Sequence, residues 1–176
     1  MIEDMEEENI ITEQSSITAR LNKVINSIAH DGTINISDCE YDEIRNFMYL
    51  WNLFENKFFN KNYDYTLPDD FKHLAIDQRV IEDTLNYFKS RYKDDTTFRK
   101  LHLRVNDNSE QVRDVFNEVR ISAEDKLQVI NTVIYRYRCN LFHGTKEIQL
   151  LWKQKDNFIN ANKYMLACLE AKLNIK

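Results

Sequence analysis

Two arginines and a histidine fall within the ten residues YRYRCNLFHG (135–144), among apolar helix formers and running into one of the chain's two glycines. Arg136, Arg138 and His143 stand beside Leu141 and Phe142, where burying a charge is costly unless it is paired. Either these polar groups reach out to the surface, or they face a shared cleft in which their charge is used. Arginine holds a phosphate with a planar fork of donors and stays charged at any physiological pH. Histidine titrates near neutrality and can exchange a proton during a reaction. Together they suit cleavage of an RNA phosphodiester, in which the 2′-hydroxyl attacks the adjacent phosphorus while fixed positive charge steadies the pentacoordinate transition state. That chemistry needs no metal. The sequence has no helical HxxxH, HExxH or CxxC spacing and no glycine-rich phosphate loop, so neither a metal nor a cofactor is expected.

The pair is useful only if the backbone brings it together. Five residues apart on an unbroken helix, Arg138 and His143 would point about 140° from one another. Gly144 offers a remedy, because glycine readily takes the left-handed conformation that ends a helix. A helix finishing around Leu141 or Phe142 lets His143 fold back towards the turn carrying Arg138. By residue chemistry alone, an arginine and a histidine near a helix end are more often structural than catalytic.

The elements needed to hold that turn are helical. Two glycines and one proline (Pro68) in 176 residues leave few of the tight turns that a many-stranded fold requires. Ile17, Leu21, Val24, Ile25 and Ile28 recur at helical spacing before a stop at His30-Asp31-Gly32. Ser37 or Asp38 can cap a second helix whose stripe is Ile44, Phe47, Met48, Trp51, Phe54 and Phe58. NKNYDYTLPDD (60–70) reads as a loop. A helix from about Asp77 to Tyr92 turns Val80, Ile81, Leu85 and Phe88 inward, and KDDTT interrupts it. FRKLHLRV is read as a short helix or an extended connector, since a lone strand has no partner here. Val112, Val115, Phe116 and Val119 give a short helix, and Ser122 with Asp125 three residues on resembles a capping box. Leu127, Ile130, Ile134, Tyr137 and Leu141 form a bundle seam. A last helix from about Glu147 buries Ile148, Leu151, Trp152, Phe158, Ile159, Met165, Leu166 and Leu169. The expected fold is all-α: an antiparallel bundle of four principal helices with shorter ones, a single domain over 10–176 after an acidic lead-in at 1–9.

Charge is unevenly spread. The net charge is −5, but residues 1–14 hold six acids and no base. Without them the chain has 24 bases against 23 acids, and from Thr132 onward eight bases face three acids. Fields act locally, within a Debye length of about 8 Å, so a polyanion can find a basic region on an acidic protein. Three cysteines without metal-like spacing suit a reducing cytoplasm. No apolar run reaches the roughly 18 residues that span a bilayer, and the acidic start does not read as a signal peptide. The expectation is a cytoplasmic protein with no membrane partner.

The stretch IYRYRCNLFHGTKE (134–147) resembles the signature of HEPN domains, whose active members carry an arginine, four to six residues, and a histidine; Arg138 and His143 match with four between them. The aromatic FMYLWNLFE (47–55) and the apolar last helix extend the likeness more loosely. The resemblance implies a small helical bundle with metal-independent endoribonuclease activity on single-stranded or looped RNA, in toxin–antitoxin, abortive-infection or other antiviral systems. It also implies a homodimer in which two motifs line one cleft, and an antitoxin or other regulatory protein as a possible partner; DNA is not expected. Arg138 would grip the phosphate, and His143 would position or exchange a proton with the reacting oxygens. Two departures stand out: Cys139 follows the motif arginine where the family often has a polar residue, and Thr145 stands where some toxins paired with nucleotidyltransferase antitoxins have tyrosine. The alternative reading is a non-catalytic HEPN-like module that binds RNA, a nucleotide or a partner protein.

Five further residues are candidates for support or substrate binding. Asn140 either takes over a hydrogen-bonding role or caps the helix end. Asn52 and Glu55 can reach the cleft from the aromatic helix; Glu55 either orients Arg138 or faces the surface. Arg136, two residues from Arg138, points elsewhere: to solvent, to an RNA backbone or to a dimer partner. Lys146 either meets phosphate or is solvated. Cys139 reads as a buried inert thiol, Trp51 and Trp152 as core, and His30, His73 and His102 as surface or loop residues.

Overall fold

The computed structural model describes residues 38–118, 121–142 and 154–175. These residues form seven α-helices and contain no strand: α1 (Asp38–Phe59), α2 (Asp69–Lys72), α3 (Gln78–Arg91), α4 (Asp95–Arg99), α5 (Ser109–Phe116), α6 (Ala123–Phe142) and α7 (Lys155–Leu173), with a 3₁₀ turn at Val105–Asp107. The chain is all-α, as its turn-poor sequence requires. The expected helix over Ile17–Ile28, Val119, and the start of the last helix with Ile148, Leu151 and Trp152 lie outside the described residues.

Four helices run 22, 14, 20 and 19 residues (α1, α3, α6 and α7), long enough for an apolar stripe to hold them in place. α1 lies along α7, α3 packs on both α6 and α7, and α5 packs on α6. Phe47, Trp51, Phe54 and Phe58 of α1 are buried, and Phe71 of α2 closes on Phe54, Phe58 and Phe59. Ile81, Leu85 and Phe88 of α3 are buried in the same core, where Phe88 meets Tyr137 of α6 edge-on and Tyr137 in turn meets Phe158 of α7. Met48, 44% exposed, and Leu166, 46% exposed, do not join this core, and Ile159, expected to be buried, is half-buried outside it. Met48 and Leu166 sit at the border of their helix's apolar face, where periodicity alone draws the stripe too wide.

Polar side chains fix the helix ends. Asp77 accepts from the Arg79 amide at 2.9 Å to start α3. The box expected at α6 is present: the Asp125 amide donates to the Ser122 hydroxyl at 3.0 Å, and the Ser122 amide donates to the Asp125 carboxylate at 3.0 Å. KDDTT, expected only to interrupt a helix, also begins one, because Asp94 accepts from the Thr97 amide and caps α4. FRKLHLRV is split between the two expectations: Phe98 and Arg99 finish α4, and the chain then turns through His102 with φ 51° into an irregular connector. With glycine scarce, left-handed turns fall on other residues: Asn60, Lys61, His102, Asn108, Glu118 and Asn174 all have positive φ.

Candidate functional site

α6 carries the motif arginine through the interior. From Val129 to Asn140 every residue is buried except Tyr135 and Arg138, which are half-buried. Three positions apart, these two lie on one face of the helix. Burial, then the Cys139 thiol beside it, raises the Tyr135 hydroxyl above its ordinary range, and the nearby positive charges of Arg138 and Arg136 act in the opposite direction. Cys139 is a buried thiol, as expected.

Tyr135 is the outer member of an aromatic group. Tyr63 lies against it face to face, ring centroids 4.3 Å apart and planes 17° apart. Tyr65 meets it edge-on at 5.6 Å, and Trp51 of α1 closes the back at 5.8 Å. Glu55 braces the group: its two carboxylate oxygens accept from the Trp51 indole N–H at 3.2 Å and from the Tyr63 amide at 3.3 Å. Glu55 is thus half-buried and engaged rather than surface-facing. Burial, then the negative charge of the nearby Asp107 carboxylate, raises the Tyr65 hydroxyl.

Arg136 differs from its expectation. It reaches neither solvent nor a surface that RNA or a second subunit could touch; its side chain is 4% exposed and pairs with Asp107, 0% exposed, Nε to Oδ2 at 3.5 Å. About 200° around the helix from Arg138, it points to the segment 101–107, where its Nε also donates to the Leu101 carbonyl at 3.5 Å. Asn140, one turn on, accepts from Arg136 at 3.4 Å and donates to the same carbonyl at 3.3 Å. Asp107 in turn accepts from the Arg104 amide, which closes the 3₁₀ turn. Asn140 therefore does form side-chain hydrogen bonds, but inside the protein and on the face opposite Arg138. The physical reason is desolvation: a guanidinium inside a packed helix needs a buried counter-charge, and Asp107 supplies it.

Asn52 is exposed on α1, and His73 and His102 are exposed as expected. His143, Gly144, Thr145 and Lys146 lie outside the described residues, as does the fold-back of His143; α6 itself extends through Phe142. Among the described residues, no cluster of three histidine, cysteine or acidic side chains could hold a metal ion, and no helix is long and apolar enough to cross a membrane. A groove of about 400 Å³ between α1 and α7, lined by Tyr49, Leu50, Ile159 and Leu166 among others, contains none of the candidate site residues.

Sequence reasoning missed Tyr135, Tyr63, Tyr65 and Asp107. The signal for Tyr135 was present, one turn before Arg138 in YRYR; Asp107, in the polar run RVNDNS, offers no local sign that it is buried. No family model, no curated protein and no solved structure matches the chain.

Proposed function

We propose that the chain is a metal-independent endoribonuclease of HEPN type, cutting single-stranded or looped RNA in bacterial antiviral defence or growth arrest. One observation carries the reading: between Val129 and Asn140, α6 is open to the outside only at Tyr135 and Arg138, so the arginine that matches the motif is also the one arginine of this run not enclosed by the fold. Arg136, its neighbour, is consumed by Asp107. In the proposed reaction Arg138 holds the scissile phosphate and offsets the charge that builds on its oxygens. The 2′-hydroxyl gives up its proton as its oxygen bonds to phosphorus, the bond to the 5′-oxygen breaks and that oxygen takes up a proton; His143 serves one of these two transfers and water the other, so the products carry a 2′,3′-cyclic phosphate and a 5′-hydroxyl. Unpaired RNA is favoured because the 2′-oxygen must swing into line with the leaving group, which A-form geometry resists. A homodimer would converge two motifs on one strand, and an antitoxin or regulatory protein would hold the activity in check.

The test incubates purified protein with single-stranded RNA in excess chelator and compares it with Arg138→Ala and His143→Ala. Cleavage by the parent and a fall of about 10²–10³-fold in rate for Arg138→Ala are expected. Cleavage surviving both substitutions refutes the site, and cleavage abolished by chelator refutes the mechanism. RNA bound tightly but never cut would favour the non-catalytic module.

A further inference from the structure

We infer that Tyr135, with Tyr65 standing edge-on beside it, forms a stacking platform for a nucleobase next to the phosphate held by Arg138; the inference rests on the reading of this face as an RNA site. Tyr135 and Arg138 are the two half-buried positions in an otherwise enclosed stretch of α6, about 4.5 Å apart along the helix axis. A single nucleotide can therefore touch both, its base on the ring and its phosphate on the guanidinium.

The platform is built before any ligand arrives. Tyr63 supports the Tyr135 ring from one side at 4.3 Å and 17°. Trp51 stands 5.7 Å from Tyr63 and 5.8 Å from Tyr135, and Glu55 pins both Trp51 and the Tyr63 backbone. Tyr65, itself half-buried, meets Tyr135 at 90° and Tyr63 at 81°. Rings fixed in this way lose little freedom on binding, which favours affinity. Single-stranded nucleic acid is commonly held by such surfaces, a basic group on the backbone and an aromatic face under the base. Stacking accepts every base and requires it to be unpaired. The platform thus assigns a selectivity: unpaired over duplex RNA, with tolerance for sequence.

The experiment measures binding of the full chain to a short fluorescein-labelled 2′-O-methyl oligonucleotide, which lacks the attacking hydroxyl and stays intact. Tyr135→Leu should weaken binding about 5- to 150-fold and Tyr65→Leu, which removes only the flanking ring, by a smaller factor of about 2- to 5-fold, while Tyr135→Phe, which keeps the ring, should stay within about twofold of the parent. Circular dichroism checks folding. Because Tyr135→Leu opens a gap over Tyr63, cross-linking of the parent to 5-iodouridine RNA serves as a second measurement, with attachment expected at Tyr135 or Tyr65. Unchanged affinity in folded leucine variants, or cross-links only elsewhere, would overturn the platform even if native RNA is cut. Tyrosine-dependent binding of native RNA that is never cut would instead overturn the nuclease reading and leave the platform in place.

Discussion

Replacing Asp107 by alanine should destabilise the protein by about 3 kcal/mol. The substitution leaves the Arg136 guanidinium inside the protein, its side chain 4% exposed, without a counter-charge. Removing one partner of a buried pair costs about 3–5 kcal/mol. The lower end applies here because the contacts are long: 3.5 Å to Asp107, 3.5 Å to the Leu101 carbonyl and 3.4 Å to Asn140. Against a total stability of about 5–15 kcal/mol this is a large share, and for a chain of this size it corresponds to a fall in Tm of about 6–12 °C. Thermal and urea melts of Asp107→Ala, Arg136→Met and the double variant measure it. Since an apolar side chain of similar length can replace a buried charge once its partner is gone, the double variant should lose less than the two single variants combined, its remaining loss of about 1–2 kcal/mol coming from the Arg104 amide and the Asn140 oxygen left without partners. A loss under about 1 kcal/mol for Asp107→Ala, or a double variant as damaged as both single variants combined, would refute the argument that this pair ties segment 101–107 to α6.

Other expectations follow from the helix ends, the turns and the thiols. Ser122→Ala removes the cap of α6 and should cost about 1 kcal/mol, seen as a Tm drop of about 2–4 °C. The Ser122 hydroxyl and amide hold the Asp125 carboxyl below its usual range, and Lys126 does the same for Glu82. A depressed carboxylate contributes stability above its unfolded pKa and loses it as pH falls through the folded value. Tm should therefore fall on acidification below about pH 4, and less steeply in Asp125→Asn. Lys61 sits at φ 67°, where a β-carbon is strained, so Lys61→Gly should raise stability by about 0.5–1 kcal/mol in a urea melt; a loss would contradict the strain. Cys139 and Cys168 are buried, and burial raises the Cys168 thiol; peptide mapping after alkylation of the folded protein should find both unlabelled.

Much of the fold was legible because it is written in local signals. Asp77 before α3, and Ser122 with Asp125 before α6, announce those helices in sequence, and the stripe Ile81, Leu85 and Phe88 is periodic enough to name its buried face. The turn at His102 was not legible, because the surrounding alternation imitates a strand and neither glycine nor asparagine marks the left-handed position. Arg138 could be singled out from its motif, but the fate of Arg136 could not. Its partner lies in a separate polar segment, and only the packed structure brings Asp107 to α6. The same distance hid the aromatic group, since Trp51, Tyr63 and Tyr135 come from three parts of the chain.

The enclosure of α6 has a dynamic consequence. Amide protons between Val129 and Asn140 can meet solvent only when neighbouring helices come away, so their deuterium exchange should be among the slowest in the molecule. A side chain mounted on that rod inherits its stillness: the guanidinium of Arg138 swings on its own methylenes, while the backbone beneath it moves only when the core opens.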